Sequence, residues 1–400
     1  MEIKKFEEVV VKVLEIGKEG LCTCETKDGT KIFTRYAIPN EIVKVKIFDP
    51  SLPYGEITEI MEKSPIRVEP LCKYFGECGG CDIQMLDYRN QLEYKKKLLI
   101  EEFSKVPNFS TSLIKDPIPS PKEFYYRNSV MFRVNPKRKK IGFLKRDTNI
   151  VIDIEECKIA LEKINYALKV IREDEEFPQH VFKVRGTLDG DVVVNLIKTK
   201  NFEDRAVYET ITLDNISFRF RISRESFFQV NTYIIPIWLK EIRRLILNSP
   251  YKKDSCLDLY CGSGIISFFL SDIFQKIIGV EVSKPSVEDG KHNIEINKIK
   301  NVEIILSDVT KAIENLEIPE IIVVDPSRSG IEEKVINQLL ESSKSKGKPK
   351  MIIYSSCNYE TQVRDILKLQ KGGFEIKEII PIDMFPQTHH IEVIASLEKS

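Results

Sequence analysis

The chain has 400 residues and balances 61 Lys and Arg against 61 Asp and Glu, so its formal net charge is zero and a uniformly basic protein is excluded. Hydrophobic residues at 42% and charged residues at 30% exclude a disordered chain. No apolar run reaches the roughly 20 residues of a bilayer span, and Met1-Glu2-Ile3-Lys4-Lys5 lacks the apolar core of a signal peptide, so the expectation is a cytoplasmic, multi-domain protein without a membrane partner, monomeric by default.

Residues 1–63 read as about five short strands. Val9–Leu14, Leu21–Thr26, Lys31–Phe33, Glu41–Phe48 and Glu56–Met61 are apolar or alternating, and Asp28-Gly29 marks a hairpin turn. That set suits an OB-like barrel. Residues 64–218 are mixed. Cysteines cluster at 72–81, and the spacing of Leu92, Lys95, Leu99 and Phe103 predicts a helix over Tyr88–Phe103. Tyr126–Val134 and Lys140–Leu144 flank a basic turn as a hairpin. From residue 219 to 400, short apolar runs at Ser255–Tyr260, Lys276–Glu281, Val302–Leu306, Ile321–Asp325 and Lys350–Ser355 alternate with helical stretches. That alternation predicts an α/β domain with a parallel, doubly wound sheet. Phe374–Ile382 and His390–Leu397 are joined without a helix and are expected as an antiparallel pair at its end.

Leu257-Asp258-Leu259-Tyr260-Cys261-Gly262-Ser263-Gly264 reads as a strand, a glycine turn and a helix start, the place where such sheets bind ligands. Gly262 lets backbone approach the ligand. Glu281 ends the next strand and suits the hydroxyls of a ribose; Asp308 ends the third and suits an adenine amino group. With no third glycine, the turn fits an adenosyl ligand without a pyrophosphate better than a dinucleotide.

Four more segments place polar residues at strand ends: 226–231, 325–330, 355–358 and 388–392. Methylating carbon 5 of uracil needs a thiolate that adds to carbon 6, a base for the carbon-5 proton, and donors to the ring's polar edge. Cys357 is the candidate nucleophile, Glu392 the candidate base, and Gln229 and Asp325 the candidate partners of the ring. The ordinary reading of a cysteine after an apolar strand is packing, and alternation between Ile391 and Val393 equally allows Glu392 to face solvent. Arg328 serves equally as a brace for its loop or as a phosphate contact.

These segments together resemble the RNA uridine-5-methyltransferases of ribosomal and transfer RNA, over nearly the whole chain. The resemblance rests on S-F-F-Q-V-N at 226–231, D-L-Y-C-G-S-G at 258–264, G-V-E at 279–281, S-C-N at 356–358 and D-M-F-P-Q-T-H-H-I-E at 383–392. It implies a Rossmann-like S-adenosylmethionine (SAM) domain at 219–400, Cys357 as nucleophile, Glu392 as base, and Gln229, Tyr260, Glu281 and Asp325 lining the cofactor and base pocket. Ser327 stands where the family has a second proline, Tyr359 where it has another proline, and Ile265 where some members have a polar residue.

Cys72, Cys78 and Cys81, with Cys157 as the remaining cysteine of the middle region, allow zinc or an iron–sulfur cluster by spacing. The resemblance implies a [4Fe–4S] cluster in a central domain at 64–218 and a TRAM barrel at 1–63. RNA is the expected partner, bound through Lys95-Lys96-Lys97, Lys137-Arg138-Lys139-Lys140 and Lys145-Arg146, although each run alone is ordinarily a solvated face. The TRAM resemblance favours 23S ribosomal RNA over the T-loop of transfer RNA. The competing readings are a noncatalytic RNA-binding iron–sulfur protein, opposed by the joint presence of Cys357, Glu392, Gln229 and Asp325, and a cytosine-5-methyltransferase, opposed by Ser356 where a P-C nucleophile has proline.

Overall fold

Strand β1 (Glu8–Ile16) is one-sided because Val9, Val11 and Val13 alternate with Val10, Lys12 and Leu14; the first set is buried and the second exposed. The computed structural model describes residues 4–49, 51, 53–197 and 200–399. With β2 (Leu21–Glu25), β3 (Lys31–Arg35), β4 (Ile42–Asp49) and β5 (Tyr54–Glu62), β1 forms a closed barrel in the order β1-β2-β3-β5-β4. Gly29, with φ of 83°, turns the predicted hairpin between β2 and β3.

Helix α1 (Tyr88–Phe103) spans the predicted residues and is capped by Asp87, whose carboxylate accepts from Asn90 N at 2.8 Å. Its buried face carries Tyr94, Leu98, Leu99 and Phe103, and also Lys95. The expected basic surface at 95–97 is therefore not one. Lys95 has a side chain with 0% exposure, and its Nζ lies 2.6 Å from Asp383 Oδ1 and 3.1 Å from Phe385 O. Lys96 pairs with Asp116 and Lys97 with Glu15.

The middle of the chain forms a second sheet from β6 (Ser129–Asn135), β7 (Lys140–Leu144), β8 (Val151–Asp153), β9 (Phe182–Gly186) and β10 (Val192–Asn195), ordered β10-β9-β6-β7-β8. Helix α2 (Glu162–Glu173) packs Ile164, Ala167, Leu168 and Ile171 with Phe132, Phe182 and Val184. The basic hairpin is present between β6 and β7. Lys137, Arg138 and Lys139 are exposed at its tip, and these three and Lys140 have no ion pair among the described residues. Strands β11 (Val207–Leu213) and β12 (Ile216–Ile222) form a separate hairpin, and β12 runs through the expected boundary at 218/219.

A seven-stranded sheet follows, from β13 (Ser255–Leu259), β14 (Lys276–Glu281), β15 (Val302–Leu306), β16 (Ile321–Val324), β17 (Met351–Ser356), β18 (Phe374–Ile382) and β19 (Glu392–Lys399). Its order is β15-β14-β13-β16-β17-β19-β18. The first five strands are parallel; β19 is antiparallel to both β17 and β18 and lies between them. This is the predicted α/β sheet with its antiparallel pair.

Helices α3 (Ile235–Asn248), α4 (Ile265–Phe269) and α5 (Lys284–Ile296), with the β11–β12 hairpin, cover one face. Helices α6 (Val309–Asn315), α7 (Glu333–Lys346) and α8 (Tyr359–Gln370) cover the other, in an apolar core continuous with α1 and the barrel. Ile114 and Ile118 bridge to Ile379 and Ile382, so the β18 edge is partly paired rather than open. Among the described residues, no helix is long and apolar enough to cross a membrane.

The Lys95–Asp383 pair fixes α1 to the loop between β18 and β19. Lys95→Ala leaves a buried carboxylate without its cation and should cost ~3–5 kcal/mol, read as a lowered midpoint in urea unfolding; Lys95→Ala with Asp383→Asn should recover part of the loss.

Candidate active site

The glycine turn after β13 is built from left-handed backbone at Tyr260, Gly262 and Gly264, with φ of 63°, 57° and 88°. The two glycines serve different ends. A Cβ on Gly264 would lie 2.7 Å from Ile304 Cδ1, so packing demands glycine there. A Cβ on Gly262 would meet nothing within 4 Å, so Gly262 faces open space at the strand ends. Gly262 N donates to Glu281 Oε2 at 2.9 Å and Ser283 N to Glu281 Oε1 at 2.7 Å. Glu281 thus ties the turn to the end of β14 and, with about four acceptor positions on a carboxylate, keeps capacity for a diol. Asp308 is exposed and caps α6, accepting from Lys311 N at 3.3 Å. The Tyr260 hydroxyl donates to Glu332. Tyr260, Gly262, Glu281 and Asp308 therefore line the ends of β13, β14 and β15, a donor and acceptor set that fits an adenosyl group.

Beneath this turn lies Asp258, which is fully buried and accepts from Ser267 N at 3.1 Å and Ser267 Oγ at 2.6 Å. Burial pushes its carboxyl up to about 7.

The second group gathers at the ends of β16, β17 and β19. Asp325 follows β16 and Cys357 follows β17. Glu392 opens β19, and because that strand is reversed its first residues stand beside the last of β17, with Ser356 opposite Val393. Glu392 is 2% exposed, which decides against a solvent-facing residue. Its Oε1 accepts from Ser355 Oγ at 2.6 Å, and burial pushes its carboxyl up to about 7. Burial and the neighbouring Glu392 and Asp258 hold Asp325 well above the usual carboxylate range. Gln229 Nε2 is 3.5 Å from Asp325 Oδ2, and Asn128 Nδ2 holds the Gln229 carbonyl at 2.8 Å. The structure thus brings Gln229, Asp325, Cys357 and Glu392 together.

The Cys357 thiol is pushed up to about 11, first by burial and then by Glu392 and Asp325; the nearby Arg328 guanidinium opposes the rise. The Arg328 carbonyl accepts from Asn358 Nδ2 and Thr361 Oγ1, and its guanidinium lies 3.1 Å from His390 Nε2. Sequence reasoning placed Arg328 at a loop brace or a phosphate and missed the thiol; the available signal was a cation at the end of a strand next to the cysteine's own. Ser327 is exposed, and Tyr359 begins α8 with its ring in the core, so neither departure from the family pattern touches the reacting groups.

Cys72, Cys78, Cys81 and Cys157 line one cavity of about 390 Å³, which extends to Arg328, His389 and His390. Burial pushes Cys78 up to about 12 and raises Cys81 and Cys157, with the neighbouring thiols adding to each. Among the described residues, no three His, Cys, Asp or Glu side chains close around a single metal ion. The cysteine loop also grips the loop before Glu392. Asp82 N donates to Gln387 O at 3.0 Å, and Asp82 Oδ2 accepts from His389 N at 3.1 Å and lies 2.7 Å from His389 Nδ1. Arg146 pairs with this same Asp82 and Lys145 with Glu56, so the expected patch at 145–146 is spent on internal pairs.

A five-stranded parallel core with a reversed strand inserted near one edge, a glycine turn and acid-tipped strands define a nucleotide-binding α/β enzyme of the methyltransferase kind. The fold is similar to that of the Pyrococcus abyssi tRNA (uracil-54, C5)-methyltransferase solved with S-adenosyl-L-homocysteine, with a TM-score of 0.74, 23% identity, and 97% of this chain and 99% of that chain covered. The chain is 35% identical to an uncharacterized RNA methyltransferase of Aquifex aeolicus over 93% of its length and 94% of that protein's. It is 33% identical to the tRNA (uracil(54)-C(5))-methyltransferase of Schizosaccharomyces pombe, over 99% of its length and 79% of the relative's. The profile of the tRNA (Uracil-5-)-methyltransferase family matches residues 202–400, and the chain belongs to this family. It is an S-adenosylmethionine-dependent RNA (uracil-5-)-methyltransferase.

The raised Glu392 carboxyl has a sign that stability measurements can read. The folded state holds its proton up to about pH 7, whereas an unfolded glutamate releases it near ~4.3. This group's contribution is therefore complete below the unfolded value and is lost as pH rises through the folded one. Glu392→Gln removes that loss, so the variant's unfolding midpoint relative to wild type should be higher at pH 8 than at pH 5.

Proposed function

We propose that this enzyme methylates carbon 5 of a loop uridine in transfer RNA, at the position equivalent to uridine 54, as a monomer in the cytoplasm. The observation that carries the chemistry is the grouping of Cys357, Glu392, Asp325 and Gln229 at adjacent strand ends. The transfer-RNA reading, preferred here to the 23S expectation, draws on the Schizosaccharomyces pombe relative that aligns with 99% of this chain. Ribosomal RNA remains the second reading, favoured by the closed TRAM-like barrel at the N-terminus.

When bound against Tyr260, Gly262, Glu281 and Asp308, with Gln229 and Asp325 closing the pocket, S-adenosylmethionine supplies an electrophilic methyl group. Cys357, on losing its thiol proton to solvent, adds to carbon 6 of the uracil, and carbon 5 thereby becomes the nucleophile that takes the methyl group. A thiol near 11 is only about one part in ten thousand ionised at pH 7, so the resting enzyme keeps its nucleophile masked, and Arg328 is the cation that favours the thiolate when the base arrives. Asp325, held well above the usual carboxylate range by burial and then by Glu392, is suited to donate to the ring's polar edge beside Gln229. Glu392 removes the carbon-5 proton, and a carboxyl near 7 suits that task at neutral pH. The thiolate then leaves.

The unpaired tip of the β6–β7 hairpin supplies phosphate contacts. The target uridine leaves its stack to reach Cys357, which costs a few kcal/mol and least in a loop. The domains serving these steps are a barrel at 1–63, a central unit from 64 and the catalytic unit to 400; the β11–β12 hairpin packs with α3 and α5, so we draw the second boundary near residue 200 rather than 218.

The four cysteines hold a [4Fe–4S] cluster in this reading. The cavity that all four line is where it would sit. The cluster's role is structural, since methyl transfer moves no electron pair through it. Anaerobically purified protein should carry about four irons per chain; zinc in their place removes the cluster.

Incubation with methyl-tritiated S-adenosylmethionine and separate pools of unmodified transfer and ribosomal RNA tests the function. Label in 5-methyluridine from transfer RNA is expected, and label from ribosomal RNA alone overturns the substrate. Cys357→Ala should abolish labelling while S-adenosylmethionine still binds. Glu392→Gln should trap a covalent RNA–protein adduct on denaturing gels.

A further inference from the structure

Strand β17 is buried along its whole length, yet a hydroxyl, Ser355, sits within it. That hydroxyl is engaged on both sides. Trp238 Nε1, on α3, lies 2.9 Å from Ser355 Oγ, and Ser355 Oγ lies 2.6 Å from Glu392 Oε1. Trp238 is 1% exposed, Ser355 0% and Glu392 2%, so water does not compete for these contacts. An indole N–H only donates, so it uses the serine oxygen as acceptor. The single hydroxyl proton of Ser355 is then directed at Glu392. The polarity of the chain, Trp238 to Ser355 to Glu392, follows from the donor chemistry of its first member.

We propose that Ser355, oriented by Trp238, is a positioning residue for the base of the methylation reaction: it occupies Glu392 Oε1 and leaves Oε2 as the oxygen that takes the carbon-5 proton. This rests on the reading of Glu392 as the base. Nothing in the catalytic motifs requires it. Ser355 lies outside S-C-N, and Trp238 lies outside S-F-F-Q-V-N. The groups facing the pocket from the neighbouring elements are Asp325 after β16 and Cys357 after β17, with Asp258 behind Asp325 and the Arg328 guanidinium beside Cys357. It is burial that favours a protonated Glu392. Ser355 is the neighbour that favours the charged, proton-accepting form. A base that must be free to act is thereby kept available in a site whose burial opposes its charge.

The test uses the full-length protein with any bound cluster intact and follows release of the Cys357–RNA adduct after methyl transfer, from pH 5.5 to 9, on denaturing gels. Ser355→Ala should form adduct at the wild-type rate and release it about tenfold more slowly at pH 6. Its acid limb should move up by about one pH unit, because the hydrogen bond favouring the carboxylate is gone. Ser355→Thr, which keeps the hydroxyl, should restore the profile, and Trp238→Phe should move it part of the way. As the only tryptophan, Trp238 also reports on the chain without a variant: wild-type emission should titrate with Glu392, and Ser355→Ala should abolish the inflection. A wild-type release profile in Ser355→Ala, while Glu392→Gln still traps adduct, overturns the positioning role alone. Normal release from Glu392→Gln overturns the base itself.

Discussion

The loop between β18 and β19 carries the approach to Glu392, and many of its anchors come from residues nearly three hundred positions earlier. Lys95 on α1 reaches Asp383 and the Phe385 carbonyl, Gln91 exchanges hydrogen bonds with Gln387, and Asp82 grips Gln387 and His389. A nine-residue connection without regular structure would otherwise be free to move Glu392. The buried ion pair adds little net stability over an apolar substitute, but it commits the loop to one position. Barrel, α1 and sheet share one continuous apolar core, so that position is set by the whole molecule.

The site confines three carboxyls and a thiol in a space poor in cations. Asp258, Asp325 and Glu392 are all raised, and Cys357 with them. Separately each would be more stable elsewhere on the protein. Together they form a set in which each group resists its charge, a condition that suits the proposed division into donor, base and nucleophile. Arg328 is the cation set against this excess, and its backbone is anchored to Asn358 and Thr361, at the start of the helix that follows the cysteine. The fold gives up stability here to obtain a responsive site.

Local pattern carried much of this. The 3.6-residue period predicted α1 with its observed ends, Tyr88 and Phe103, and strand runs between turn residues predicted the parallel sheet and its closing pair. Strand-end chemistry singled out Cys357, Glu392, Gln229 and Asp325, which the fold assembles. Long-range pairing was not visible. Lys95 reads as one of three consecutive lysines, and only its place on the Leu99 and Phe103 face hinted at burial; its partner is 288 residues away. Asp308 has an ordinary task as a helix cap that its strand-end position did not separate from ligand binding. Ser355 and Trp238 carried a signal of another kind, a hydroxyl in a buried strand and an indole N–H on the buried face of a helix, which acquires meaning only when the two are seen to meet.

The reversal of β19 has a consequence for how such a site can drift over evolutionary time. In a wholly parallel sheet, the first residue of a strand lies at the opposite edge from the last residue of its neighbour, so nucleophile and base would both have to come from loops after strands. Inserting one reversed strand lets Glu392, the proposed base, come from a strand's beginning, and it couples Glu392 and Cys357 to a single hydrogen-bond ladder. A slip of one residue would turn Glu392 to the other face of the sheet. The one irregularity in the pairing of β18 with β19 falls between Ile376 and Glu378, toward the far end from Ile382 and Glu392. Length changes in the distal part of this hairpin can thus be absorbed at the bulge, while the register beside the site stays regular.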